Sequence, residues 1–171
     1  MLKQAILDQS VAVLVRAGLA GWSIEEVARR ARCAKGLVLY HYRSKAALLD
    51  LTAGELERAR WDLRLGALGG GDGLLGIDRL WEEMMAEVDS GRFRAWISLV
   101  GAGYRGSEPK RGESLRSAAI RLLGLPSEAI ADPASIEAMI EGMTLQLLSR
   151  DASREALRGA YDRLWTSMLA P

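Results

Sequence analysis

"AKGLVLYHYRSK", residues 34–45, sets three rings, Tyr40, His41 and Tyr42, side by side and brackets them with Lys35 and Lys45. A buried helix should not carry so much polar chemistry, and a solvated one should not carry so much apolar bulk. At the helical period Val38 and Tyr42 fall four residues apart on one face. That leaves Lys35, Gly36, Leu37, Tyr40 and His41 on the outer side. One face packs and the other is available to a partner.

The preceding residues supply a companion. "WSIEEVARRA", residues 22–31, opens with Ser23 and Glu26 in capping-box spacing, and Trp22 is placed to pack on Val27 as a hydrophobic staple. The pattern predicts a short helix ending near Ala31, with Val27 and Ala28 facing inward and Cys33 plugging the turn that follows. Two short helices on a tight turn, the second with exposed polar groups, describe a helix-turn-helix. On DNA, Lys35 and Lys45 would supply charge to phosphate, and Gly36 would allow close backbone approach. Tyr40 and His41 offer donors to phosphate and flat surface for thymine methyls. Lys45 follows the Ser44 cap, where helix-terminal N–H groups favour an anion. An ordinary three-helix core with a solvated basic face satisfies the same spacing.

Outward from this pair, a first helix is predicted over Lys3–Ala17, with Ile6, Val13, Leu14 and Ala17 inward and Gly18 closing it. A fourth starts at Ser44 and runs to about Leu65. "GALGGGDGLLG", residues 66–76, breaks the pattern. Beyond it come five helical segments, marked by Ile77, Leu80, Trp81, Met84, Met85 and Val88, then by Phe93, Trp96, Ile97, Val100 and Tyr104. Leu115, Ala118, Ala119 and Leu122 mark the third, the residues around Ile136–Leu147 the fourth, and Leu157–Met168 the last. The prediction is all-α, about nine helices and no repeat. The polar faces of 82–89 and 105–113 read as solvated.

Composition agrees. A chain of 171 residues, 49% hydrophobic and 26% charged, can bury a sizeable core. Its net charge of +1 conceals an asymmetry: residues 1–50 carry eight Lys/Arg against four Asp/Glu, and the remainder is net acidic. A single cysteine excludes an intrachain disulfide and fits a cytoplasmic protein. The apolar runs are too short and interrupted to cross a membrane.

Residues 5–51 resemble the DNA-binding domain of the TetR family of one-component transcriptional regulators. Gly18, Ser23, Val27-Ala28, Ala31, Gly36, His41, Tyr42, Ser44-Lys45 and Leu48 carry the likeness. Arg32 stands where the family's turn usually has Gly, so a non-glycine residue is expected in the left-handed region. Ala34 replaces a capping Ser, Leu37 a Thr and Leu39 a Tyr. The resemblance implies DNA-facing roles for Lys35, Gly36, Leu37, Tyr40, His41 and Lys45. It implies a DNA-binding domain over residues 1–47 and a helical effector-binding and dimerisation domain over 48–171.

The second domain would enclose an effector among Trp61, Trp81, Met84, Met85, Trp96, Val100 and Tyr104. It would dimerise through Ile136, Met139, Ile140, Met143, Leu147, Tyr161, Leu164, Trp165 and Met168. The expected protein is a homodimeric repressor that binds a palindromic double-stranded DNA operator and is released by a small apolar or aromatic effector. The alternatives are a ligand-independent DNA-binding protein of the same fold, and a carrier or enzyme with a vestigial helix-turn-helix. No catalysis, cofactor or metal is expected. His41 is the sole histidine, and "GDGLLG" at 71–76 fits G-x-G-x-x-G but follows a helix rather than a strand.

Overall fold

The computed structural model describes residues 1–70, 73–105, 114–124, 133–149 and 152–169. Among these residues the chain forms nine α-helices and no strand: α1 (Leu2–Ala17), α2 (Ile24–Arg30), α3 (Lys35–Tyr42), α4 (Lys45–Gly69), α5 (Leu74–Asp89), α6 (Arg92–Gly101), α7 (Leu115–Leu123), α8 (Pro133–Ser149) and α9 (Arg154–Leu169). The all-α expectation is met. Helix α4 continues past Leu65 because Leu68 is buried in an apolar core, which outweighs the poor helix propensity of Gly66 and Gly69. Helix α5 correspondingly starts at Leu74, inside the stretch expected to be a break. Gly71 and Asp72 lie outside the described residues.

Two compact units organise the chain. The first comprises Met1–Arg60 and Ser90–Lys110, the second Trp61–Asp89 and Arg111–Pro171. The cut expected between residues 47 and 48 falls inside α4, whose Leu48, Leu49, Ala53 and Leu56 join the core of the first unit. Ile6, Val13 and Leu14 of α1, Val27 and Ala28 of α2, and Val38 and Tyr42 of α3 complete that core with Ala95 and Leu99 of α6. It also holds a hydroxyl pair. Ser10 and Thr52 lie 2.7 Å apart, the Trp22 indole N–H donates to Ser10 Oγ at 3.1 Å, and Thr52 Oγ1 donates to the Leu48 carbonyl at 2.7 Å. These bonds satisfy groups whose burial would otherwise cost stability.

Helix α6 turns differently from its expected stripe. Phe93, Ala95 and Leu99 are the buried positions, whereas Trp96, Ile97 and Val100 are half-buried. A cation–π contact accompanies this facing. The buried Arg60 guanidinium of α4 lies 4.0 Å from the Trp96 ring centroid and 5.0 Å from that of Phe93, with both rings toward α4.

The second unit has a separate core of Leu68, Ile77, Leu80, Trp81, Met84, Leu115, Ala118, Ala119, Ile136, Ile140, Leu147, Leu157, Tyr161 and Trp165. One assignment on α5 is corrected here. Glu87, read as part of a solvated face, is 1% exposed and bonds to the equally buried Arg64 at 2.8 Å. Arg64 also donates to Glu141 at 3.0 Å and to Thr144 at 3.3 Å. The carboxylate enters the core because a cation is already there.

Candidate nucleic-acid interface

The helix-turn-helix is built from α2 and α3. Ser23 caps α2 by accepting from the Glu26 N–H at 3.1 Å. The reciprocal half of the expected capping box is replaced by an arginine cluster. Glu26 receives Arg16 at 2.8 Å, Arg29 at 2.7 Å and Arg30 at 2.9 Å. Hydrogen bonds from Arg29 and Arg30 hold its carboxyl down to about 2. The turn closes with the Cys33 N–H on the Ala28 carbonyl at 3.0 Å, and Cys33 packs half-buried against the core. Arg32 adopts φ 53°, the left-handed conformation expected from its position.

Glycine would take that conformation without the steric cost of a Cβ, at a smaller cost in chain entropy. Arg32→Gly is therefore expected to raise stability by about 0.5–1 kcal/mol, read from the urea unfolding midpoint at unchanged slope. A lower midpoint would show that the Arg32 side chain contributes more than its backbone costs.

Helix α3 is held from one side only. Val38 and Tyr42 are buried, and the Tyr42 hydroxyl donates to the Lys3 carbonyl of α1 at 2.5 Å. The opposite side is open: Tyr40 is 79% exposed and Leu37 42%. Lys35, Gly36 and Lys45 are also exposed, and His41 is half-buried with its ring edge-on to Tyr40, centroids 5.3 Å apart. All six residues expected to face DNA thus lie on α3 or at the start of α4.

The charges there are held in place. Lys35 Nζ bonds to Glu25 Oε1 at 2.5 Å, which keeps the Glu25 carboxyl below the usual carboxylate range. Lys45 lies 5.6 Å from the Trp22 ring centroid. Ser44 caps α4 by accepting from the Ala47 N–H at 3.1 Å, as its position implied.

Glu25 and Arg43 were not singled out from the sequence. Arg43, at φ 62°, forms the sharp turn between α3 and α4. The ten-residue separation of Glu25 from Lys35 follows no local periodicity, so only the fold brings them together.

The effector candidates divide between the units. Trp81 and Met84 are buried in the second core, with Trp61 and Met85 packed against it. Trp96 and Tyr104 pack against the first core, and Val100 is half-buried. Of the dimer candidates, Ile136, Ile140, Leu147, Tyr161 and Trp165 are already enclosed within the subunit, where the Tyr161 hydroxyl donates to the Ile77 carbonyl at 2.7 Å. Ile136, Ile140 and Leu147 lie on α8, and a helix apolar on every side is what a core requires as much as a contact face. Met139, Met143 and Leu164 remain half-buried, and the exposed surface of α8 includes Ala138, Gly142 and Leu145. The side chain of Met168 lies outside the described residues.

Among the described residues no group of three or more His, Cys, Asp or Glu side chains is arranged to hold a metal, and no helix is long and apolar enough to cross a membrane.

Sequence and structure comparisons give a concordant result. Residues 6–51 match the profile of the bacterial regulatory proteins of the tetR family. No curated protein matches the chain. The fold is similar to a TetR family transcription regulator from Marinobacter aquaeolei VT8, with 18% identity over 97% of this chain and 94% of that one, at a TM-score of 0.61. It is similar to TetR from Acinetobacter baumannii AYE, with 16% identity over 96% and 92% of the two chains, at a TM-score of 0.59. A third likeness is to the multidrug binding protein EbrR complexed with imidazole, with 22% identity over 94% and 88%, at a TM-score of 0.57. Residues 6–51 therefore belong to the tetR family of bacterial regulatory proteins, and the chain around them has the fold of TetR-type transcription regulators.

Proposed function

We propose that the chain is a DNA-binding transcriptional regulator that acts as a homodimeric repressor in the cytoplasm. One observation carries the reading: α3 is anchored through Val38 and Tyr42 while Lys35, Leu37 and Tyr40 stand in solvent. A helix so mounted can enter a major groove without disturbing its own core. Two copies would read a palindrome with half-sites about 34 Å apart. The partner surface would be formed by the outward positions of α8 and α9, since the inward ones are occupied.

Release by a small apolar or aromatic effector is supported by the tryptophan and methionine content of the second unit, and by the likeness to EbrR, a multidrug binding protein whose structure is a complex with imidazole. The ligand must favour the conformation with lower DNA affinity, so operator would weaken its binding reciprocally. The ligand-independent reading draws on the same residues. Trp81, Met84 and Trp165 are 8%, 0% and 2% exposed, filling the core with their own bulk. Tryptophan fluorescence titrated with hydrophobic compounds, with and without operator, separates the two; emission unmoved by any compound favours the second. Neither reading needs catalysis.

For DNA itself, Lys45→Ala should weaken binding to all sequences about equally and reduce the salt slope by about one per lost phosphate contact. Lys35→Ala should in addition flatten preference among operator variants. Fluorescence anisotropy on specific and scrambled duplexes measures both. Undiminished binding by the double variant would refute the interface.

A further inference from the structure

We propose that the cleft where the last turn of α1 meets the start of α6 binds a small organic anion, a carboxylate carried on an apolar body. The cleft lies wholly within the first unit, between Leu14–Leu19 and the segment bearing Gly91, Arg94, Ala95 and Ser98, and is open to solvent with a volume of about 350 Å³. That is the lower range of small-molecule sites. Its floor is apolar: Leu14 and Ala95 are 0% and 2% exposed, and Val15 and Leu19 pack beside them. The floor thus suits a hydrocarbon or aromatic body.

The rim is cationic. Arg94 is exposed and forms no hydrogen bond or ion pair among the described residues. Arg16 shares Glu26 with Arg29 and Arg30, so three guanidiniums face one carboxylate and positive charge is left over. The two helix ends nearly offset each other: the carbonyl end of α1 presents negative potential and the amide end of α6 positive. The arginines therefore decide the sign, and they select an anion. Gly91, at φ 81°, lets α6 begin this close to α1; a Cβ there would lie 3.3 Å from the Val15 carbonyl oxygen. A molecule seated in the cleft touches α1 and α6 together, in the same unit that carries α3. This site is separate from the effector reading above and does not depend on it.

Benzoate titrated into the full chain, followed by amide NMR, tests the assignment. Saturable shifts are expected at Gly91–Ala95 and Arg16–Leu19. Arg94→Gln should weaken benzoate about tenfold, the scale of one charge-assisted hydrogen bond. Neutral benzamide should bind more weakly than benzoate, and Ser98→Phe, which fills the cleft, should abolish the shifts while amide dispersion confirms folding. Shifts confined to other residues, absence of saturation at millimolar benzoate, or indifference to both variants would overturn the site. Inorganic phosphate competing as well as benzoate would overturn the role of the apolar floor.

Discussion

Arg64→Met is expected to lower the free energy of unfolding by about 3–5 kcal/mol, measured by urea denaturation. Arg64 and Glu87 are each 1% exposed, and removing the guanidinium takes away the cation that lies 2.8 Å from a carboxylate shielded from water. Glu141 would suffer less, because 28% of its side chain is exposed and it can rehydrate. Much of the loss is the cost of burying the Glu87 carboxylate without this cation, rather than the strength of the ion pair itself. Removing both charges, Arg64→Met with Glu87→Leu, should therefore recover stability to within about 1–2 kcal/mol of the parent. A single variant that unfolds near the parental midpoint would contradict the buried pairing. A double variant as weak as the single would shift the cause to packing around Thr144, which Arg64 also contacts.

Operator affinity should fall by about 10³–10⁵ between 50 and 200 mM salt, although the whole chain carries a net charge of only +1. The dependence follows from the phosphates neutralised, about 6–10 for a dimer, and not from total charge. The exposed Lys35 and Lys45, the N-terminal end of α4 and the Tyr40 hydroxyl are the groups placed for such contacts. Lys35 must exchange Glu25 for a phosphate. Both partners are more than half exposed, so this exchange is inexpensive and does not cancel the release of counterions from DNA. A log–log plot of affinity against salt gives the slope directly. A flat plot would exclude a phosphate-driven interface.

The parts legible in the sequence are those governed by local rules. Ser23 and Ser44 announced their helix starts because a cap needs only a hydroxyl three residues before an amide. The left-handed backbone at Arg32 was legible only through the resemblance, which puts a glycine at that place in the turn. Val38 and Tyr42 showed the buried side of α3 by spacing alone. What remained hidden depends on distant partners. Glu87 gives no sign of burial until Arg64, 23 residues away, is brought opposite it. Trp96 lies over Arg60, whose charge hides a position that shares the buried face of α4 with Leu56. The apolar circumference of α8 could be assigned to a core or to a partner, and only the packing of Ile136 and Ile140 within the subunit distinguishes them.

The buried trio of Ser10, Thr52 and Trp22 constrains how this sequence can drift. Thr52→Val alone would strip the Ser10 hydroxyl of one partner, and Ser10→Ala alone would leave the Trp22 N–H without an acceptor. Replacing all three by apolar residues of like shape would restore a satisfied interior, yet loss of either hydroxyl alone passes through a less stable protein. Lineages that keep this core should accordingly retain the Ser10 and Thr52 hydroxyls together or lose them together, with mixed combinations scarce.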